Sequence, residues 1–481
     1  MNYAIVFRLL GYILMIEGTL LLLPAVTSLI YAEWAVMGVF LLTAAISAAL
    51  GFALQAIKPR SKVFYMREGF AATALSWITI SIMGAVPFVL TGCIPNPVDA
   101  MFETVSGFTT TGASILPGVE GLPNGILFWR SFTHWIGGMG VLVFLLSLLP
   151  LTGGSHVNLM KAESPGPQVD KLVPKVQSTA KILYGIYFGL TVIEFVFLLF
   201  GGMPVFEALL TSFGTAGTGG FGFRNDSFAS FSPYIQWVVT IFMILFGVNF
   251  NAYFLLLMRK FRRAAASEEV RGYFVVIAVA VGIITANIYS MYNSFGEALR
   301  QAAFQVGSII TTTGFSSCDF DLWPTLSKEI LVMLMFIGAC AGSTGGGIKV
   351  TTLFVCIWSA IAYTRNQHPT VFRRRFSQEV RDKALMIFLM GLSVVLVSTF
   401  LLCMLEPDAS FIQVLMETTS AFATVGLSCG LTGGLSGLSK LVLILTMYIG
   451  RLGPLTVATL WIVQGRRNSE ILRPEETISV G

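Results

Sequence analysis

The sequence predicts an all-α polytopic membrane protein: four parallel repeats of span, half-membrane helix, glycine-ended run and span, behind a two-helix N-terminal leader. Three observations carry this. Hydrophobic residues fill 55% of the 481 positions and charged residues only 11%, against about 25% charged in a soluble domain. Most of the chain must therefore face lipid or other apolar helices. Second, runs of small residues ending in glycine recur as Thr109-Thr110-Thr111-Gly112, Gly217-Thr218-Gly219-Gly220, Thr311-Thr312-Thr313-Gly314 and Ala423-Thr424-Val425-Gly426. Such an internal repeat sets the architecture. Third, Lys and Arg concentrate on alternate loops.

The elements follow in order. Apolar segments long enough to cross a bilayer, about 20 residues each, lie near 4–31, 35–56, 69–92, 125–151, 180–201, 233–258, 272–292, 328–361, 384–405 and 438–464. The first follows a single early arginine, Arg8, and exceeds a signal-peptide core without a small-residue cleavage pattern, so it reads as a retained helix. Shorter apolar pieces near 98–110, 204–216, 296–310 and 409–422 cannot cross, and each stands just before a glycine run. Glu103, Gln305 and Glu417 lie nine positions before their glycines; Glu207 lies thirteen before Gly220.

Loop charge sets the orientation. Lys58, Arg60, Lys62 and Arg67 share one side with Lys161, Lys171, Lys175 and Lys181, with Arg259–Arg271, with Arg365–Arg381 and with the tail residues Arg466, Arg467 and Arg473. This parity holds only if there are ten spans and four re-entrant hairpins. Both termini are then cytoplasmic and the glycine runs open outward. The units are a leader at 1–60, repeats at 65–155, 176–262, 268–363 and 380–465, and a cytoplasmic tail at 466–481.

Irregular backbone at membrane depth is tolerated only where it is buried in protein or lines a cavity. Glycine reaches backbone angles that let successive carbonyls turn inward. Four such runs would close a pseudo-fourfold pore, with carbonyls replacing the water of a cation. The hydroxyls of Thr109, Thr110, Thr218, Thr311, Thr312 and Thr424 would brace the runs. The alternative, glycines that only let helices approach, does not explain four copies each following a half-helix. The third repeat's last span is broken at Gly338, Gly342, Gly345, Gly346 and Gly347, ending at Lys349. It reads either as a flexible kink or as a mobile loop inside the pore. Arg451, mid-span, is expensive in a bilayer. It reads as a positive barrier beneath the runs or as a structural partner of a carboxylate. Glu103, Arg130, Glu207, Glu297, Arg300 and Glu417 read as helix caps or interfacial pairs.

Other chemistry finds no support. The six cysteines show no metal-ligand spacing, and one disulfide among Cys93, Cys318 and Cys429 is the open question they leave. The three histidines are far apart, no catalytic set is visible, and no nucleotide fingerprint occurs. The net charge of +5 reflects loop topology rather than nucleic-acid binding.

The chain resembles the TrkH branch of the Trk/Ktr/HKT superfamily of potassium transport proteins. The resemblance rests on Ser106-Gly107-Phe108-Thr109-Thr110-Thr111-Gly112, on Thr311-Thr312-Thr313-Gly314-Phe315 and on Gly342-Ser343-Thr344-Gly345-Gly346-Gly347-Ile348-Lys349. It implies potassium-binding backbone at Thr111 and Gly112, Gly219 and Gly220, Thr313 and Gly314, and Val425 and Gly426, with the second run's register open by one residue. A serine at the first glycine goes with sodium preference in related proteins, so Gly112 favours potassium. The resemblance also implies a gate made of Gly345, Gly346, Gly347, Lys349 and Arg451. It implies a homodimer, a cytoplasmic TrkA-type nucleotide-binding ring as partner, and a bacterial inner membrane. Potassium is expected as transported substrate, not cofactor. The alternative function is a secondary carrier for another monovalent cation such as sodium.

Overall fold

The computed structural model describes residues 2–57, 66–140, 176–365, 370–371, 374–375, 377–454 and 456. Among these the chain is helical apart from turns, loops and one antiparallel pairing of β1 (Thr370–Val371) with β2 (Arg374–Arg375). The leader comprises α1 (Tyr3–Leu20), α2 (Leu22–Ile30) and α3 (Trp34–Gln55). Helices α1 and α3 meet through Gly11 and Gly51, where an added Cβ would stand 2.7 and 2.8 Å from the opposite glycine's carbonyl oxygen. Such small-residue contacts let helices approach where lipid offers no hydrophobic drive. Glu33 ties the leader onward: its carboxylate accepts from the Asn124 and Gly125 amides at 2.6 and 3.0 Å. It thereby satisfies orphan donors at the start of α6.

Four groups of helices follow. The first is α4 (Met66–Leu90), α5 (Pro97–Phe108) and α6 (Asn124–Gly138). The second is α7 (Val176–Phe200), α8 (Val205–Gly217), α9 (Pro233–Phe246) and α10 (Phe250–Leu257), trailed by the short α11 (Phe261–Ala265). The third is α12 (Glu268–Ile288), α13 (Phe295–Ile310), α14 (Thr325–Ile337) and α15 (Val350–Thr364). The fourth is α16 (Gln378–Leu405), α17 (Phe411–Ala423) and α18 (Gly437–Leu452).

The expected short pieces are α5, α8, α13 and α17, with 12, 13, 16 and 13 residues. At about 1.5 Å per residue they reach about 18–24 Å, short of a bilayer core of about 30 Å. Among the described residues six helices are long and apolar enough to cross a membrane. Large apolar side chains such as Ile30, Phe200 and Phe400 stay exposed on them, as lipid-facing positions require. The second half of the expected span 125–151, the loop 152–175 and the segment 457–481 lie outside the described residues.

One expectation is refined. The segment 233–258 is not one continuous helix: α9 and α10 meet at 91° across a break at residues 247–249. The reason is mutual backbone satisfaction between this break and the one in the third group. Cys340 N–H donates to the Gly247 carbonyl (3.2 Å), Phe250 N–H to the Gly342 carbonyl (3.0 Å), and Thr344 to Phe246 through its amide and its hydroxyl (3.5 and 3.1 Å). Asn249 starts α10 by accepting from Asn251 N–H at 2.9 Å. The expected break at 338–347 is present, between Ile337 and Val350. Helix α18 stops at Leu452 before Gly453, whose φ is +83°. All six cysteines are free, so no disulfide forms.

Candidate functional site

The four glycine runs adopt one backbone trajectory. Thr110, Thr218, Thr312 and Thr424 are left-handed, with φ of 57, 52, 59 and 56°. Two residues later Gly112, Gly220, Gly314 and Gly426 have φ of 85, 78, 83 and 83°. The residue between them donates its amide five residues back, Thr111 to Ser106, Gly219 to Gly214, Thr313 to Ser308 and Val425 to Ser420, at 2.8–2.9 Å. The left-handed threonines donate three residues back, to Gly107, Thr215, Ile309 and Ala421, at 3.0–3.3 Å. This pair of bonds is the Schellman termination of a helix. Glycine ordinarily takes the left-handed position, and a threonine there costs about 1–2 kcal/mol. Four such strains in one place point to function rather than accident.

The runs also form a closed ring. A Cβ on Gly112 would overlap the carbonyl oxygen of Gly219, one on Gly220 that of Thr313, one on Gly314 that of Val425, and one on Gly426 that of Thr111. Each glycine therefore lies against the carbonyl of the residue preceding the next run's glycine, and the fourth returns to the first. This geometry also assigns the second run's register: Gly220 is the counterpart of Gly112, and Gly219 that of Thr111. The half-helices end at this ring, so their carbonyl termini add partial negative charge there.

The hydroxyls brace the ring unequally. Thr109 bonds the Val105 carbonyl (2.6 Å) and the Thr111 hydroxyl (2.9 Å); Thr311 bonds the Gly307 carbonyl (2.6 Å) and the Thr313 hydroxyl (2.7 Å). Thr218 bonds the Gly217 carbonyl at 2.7 Å. Thr424 has no hydrogen-bond partner for its buried hydroxyl. Behind the first run sits a group that was expected at helix ends or interfaces but is fully buried. Arg130 pairs with Glu103 at 2.7 Å. Glu103 also accepts from Ser114 Oγ (2.9 Å) and Ile115 N–H (3.1 Å), while Arg130 donates to the Gly222 carbonyl (3.1 Å). The pair thus holds the return strands of the first two runs. Gln305 donates to Ser316 Oγ at 2.9 Å, and Glu417 accepts from Thr432. In the second group Thr211 occupies this place, and Glu207 lies one turn earlier in an ion pair with Arg224 at 3.2 Å.

The broken third helix packs against the ring. Gly346 N–H donates to Thr312 Oγ1 at 2.7 Å. Cβ atoms on Gly345 and Gly346 would run into the Thr311 and Ala423 carbonyls. Lys349, expected to mark the end of the loop, turns its ammonium back onto the carbonyls of Gly345 and, at 2.9 Å, Gly346. Arg451 of the fourth group ties the first run, the loop and the end of α6 together: it donates to Thr110 Oγ1 (3.0 Å), to the Thr344 carbonyl (3.2 Å), and to the carbonyls of Gly137 and, at 3.1 Å, Gly138. Glu269 staples the loop from outside, accepting from Ala341 N–H (2.5 Å) and Asn249 Nδ2 (3.0 Å). Glu269, Asn249 and His134 carry no local motif that would single them out, and Thr344 stands in the glycine-rich break without a signal of its own role.

An apolar helical chain whose short helices meet in a closed ring of backbone carbonyls defines a polytopic, all-helical membrane protein. The chain belongs to the TrkH family, described as cation transport proteins, whose model matches residues 33–470. It is 33% identical over 478 residues to the Trk system potassium uptake protein TrkH of Salmonella typhimurium, covering 96% of this chain and 99% of that one. The protein of the same name from Escherichia coli is 31% identical over the same shares. The crystal structure of the potassium transporter TrkH from Vibrio parahaemolyticus superposes with a TM-score of 0.84 at 27% identity, covering 96% of this chain and 98% of that one.

Proposed function

We propose that this chain takes up potassium through a gated pore whose selectivity filter is the carbonyl ring. The single observation that carries the reading is ring closure: four glycines, each against the carbonyl of the next run. The carbonyls of Thr111, Gly219, Thr313 and Val425, with those of Gly112, Gly220, Gly314 and Gly426, replace the hydration shell of the ion. The hydroxyls of Thr109, Thr218 and Thr311 brace the strands, those of Thr110 and Thr312 tie them to Arg451 and to the loop, and Thr424 lines the fourth run without a hydroxyl bond. Inward flow is driven by membrane potential, worth about 2.3 kcal/mol per charge per 100 mV. The loop Gly345–Gly347, latched by Lys349 and by Arg451, closes the path below the filter. The four pore units are those at 65–155, 176–262, 268–363 and 380–465, behind the leader at 1–60 and ahead of the tail at 466–481.

The positive loops support an inner-membrane protein with both termini cytoplasmic. The relatives' names speak of a Trk system, which supports work with partners; the homodimer and the cytoplasmic TrkA-type nucleotide-binding ring rest on the family resemblance. The basic segments 259–271 and 365–383 supply its docking surface. The test is ion selectivity: the purified chain in vesicles should pass potassium and rubidium well ahead of sodium and lithium, and Gly112→Ser should erode that ratio. Equal sodium flux in the unaltered protein would overturn the potassium reading in favour of a sodium carrier.

A further inference from the structure

We infer that His134 is a positioning residue of the second filter strand, its imidazole standing in for the side chain that Gly219 lacks. This rests on the filter reading above. At the place of Gly219 the other three runs carry Thr111, Thr313 and Val425. Thr111 and Thr313 bond their own neighbouring threonines, and Val425 is fully buried. A Cβ on Gly219 would instead fall on the ring atoms of His134, which comes from α6 of the preceding group. The imidazole thus occupies the volume that a threonine would fill.

The ring also fixes the strand by hydrogen bonds of its own. Phe221 N–H, one residue past the key glycine, donates to His134 Nε2 at 3.1 Å. Nε2 is therefore the acceptor, and Nδ1 carries the proton that it donates to the Gly107 carbonyl at 2.8 Å. One buried residue so links the first half-helix to the second strand. The Phe221 ring lies 4.3 Å from the imidazole, and Arg130 sits 4.2 Å from the same ring.

The departure is local. Gly137 and Gly450 play matching parts, since a Cβ on either would overlap a carbonyl, that of Phe108 or of Phe422. By this correspondence His134 aligns with Met447, which has no ring nitrogen to offer. The strand next to Met447 is the first run, whose Thr111 has its own side chain and its own bond. Histidine appears where the strand has neither.

The test compares the full-length protein in vesicles, reading the potassium-to-sodium flux ratio and the melting temperature together. His134→Met keeps the bulk without the nitrogens; its ratio should fall about tenfold, the scale of one buried donor left unmet. His134→Gln, with a donor and an acceptor, should recover part of it. Gly219→Thr should lose transport, and the pair His134→Ala with Gly219→Thr should regain selective flux by giving the second run a threonine like its neighbours. A wild-type ratio in His134→Met overturns the proposal, as does a double variant no better than Gly219→Thr. If His134→Met does not fold, the double variant decides. Gly112→Ser run alongside separates the two claims: if it too leaves the ratio unchanged, the filter reading fails, and if it alone shifts the ratio, only the role of His134 fails.

Discussion

At the scale of single residues, the ion pair behind the first run is buried with its partners complete. Glu103 and Arg130 are 0% and 2% exposed and make four further hydrogen bonds to the strands beside them. Removing one partner from such a pair costs about 3–5 kcal/mol, whereas replacing both costs far less. Glu103→Gln should therefore lower the melting temperature more than Glu103→Gln combined with Arg130→Met, as differential scanning fluorimetry of the purified protein would read. The composition of this site was half legible. Glu103, Gln305 and Glu417 stand out at one spacing before the glycines, but nothing local ties Glu103 to Arg130, 27 positions on. The strained threonines were legible as threonines and not as strain, because a left-handed angle leaves no mark on residue type other than glycine.

At the scale of elements, helix length and helix breaks set the function. Each half-helix ends in a Schellman turn, which takes up two of its last carbonyls. The loop at 338–349 is anchored by Thr312, Arg451 and the Glu269–Asn249 staple, and in the proposed function it is a closed gate. Deleting Gly345–Gly347 should raise basal rubidium flux several-fold in vesicles without partner; lower flux with the protein intact would mean the loop is not a closed gate. A cap outside the membrane offers a pH test. Burial alone would push the Glu406 carboxyl up, but the Ser439 hydroxyl and Ser436 amide that it accepts from hold it below the usual carboxylate range. Because its folded value is depressed, its contribution is complete above the ordinary carboxylate value and is lost as pH falls through the folded one. Glu406→Gln should cost about 0.5 kcal/mol at neutral pH, and the two melting curves should converge in acid. The break at Gly247–Asn249 escaped the sequence because its partner backbone lies some 90 positions away, around Cys340, Gly342 and Thr344.

At the scale of the whole molecule, the four groups are held as a ring by contacts between ends that the chain order keeps far apart. Lys440 of the fourth group pairs with Asp99 of the first at 2.7 Å, with 10% and 23% of the side chains exposed. Phe228 N–H donates to the Ser316 carbonyl at 2.8 Å, joining the second to the third. Asp99→Asn should weaken the closure by about 1 kcal/mol, and exchanging the two charges should restore part of the melting temperature. By itself the sequence determined the membrane class, the four half-helices, the four glycine-ended runs and the broken third helix. These follow from hydropathy, length and glycine, which act over a few neighbouring residues. Only the tertiary structure decided which carbonyl faces which glycine, that Gly220 rather than Gly219 is the counterpart of Gly112, that a second inner helix bends, and that His134 and Arg130 stand behind the ring. Those depend on side chains and backbone from different groups sharing one volume, and a linear pattern holds no information about which distant atoms compete for the same space.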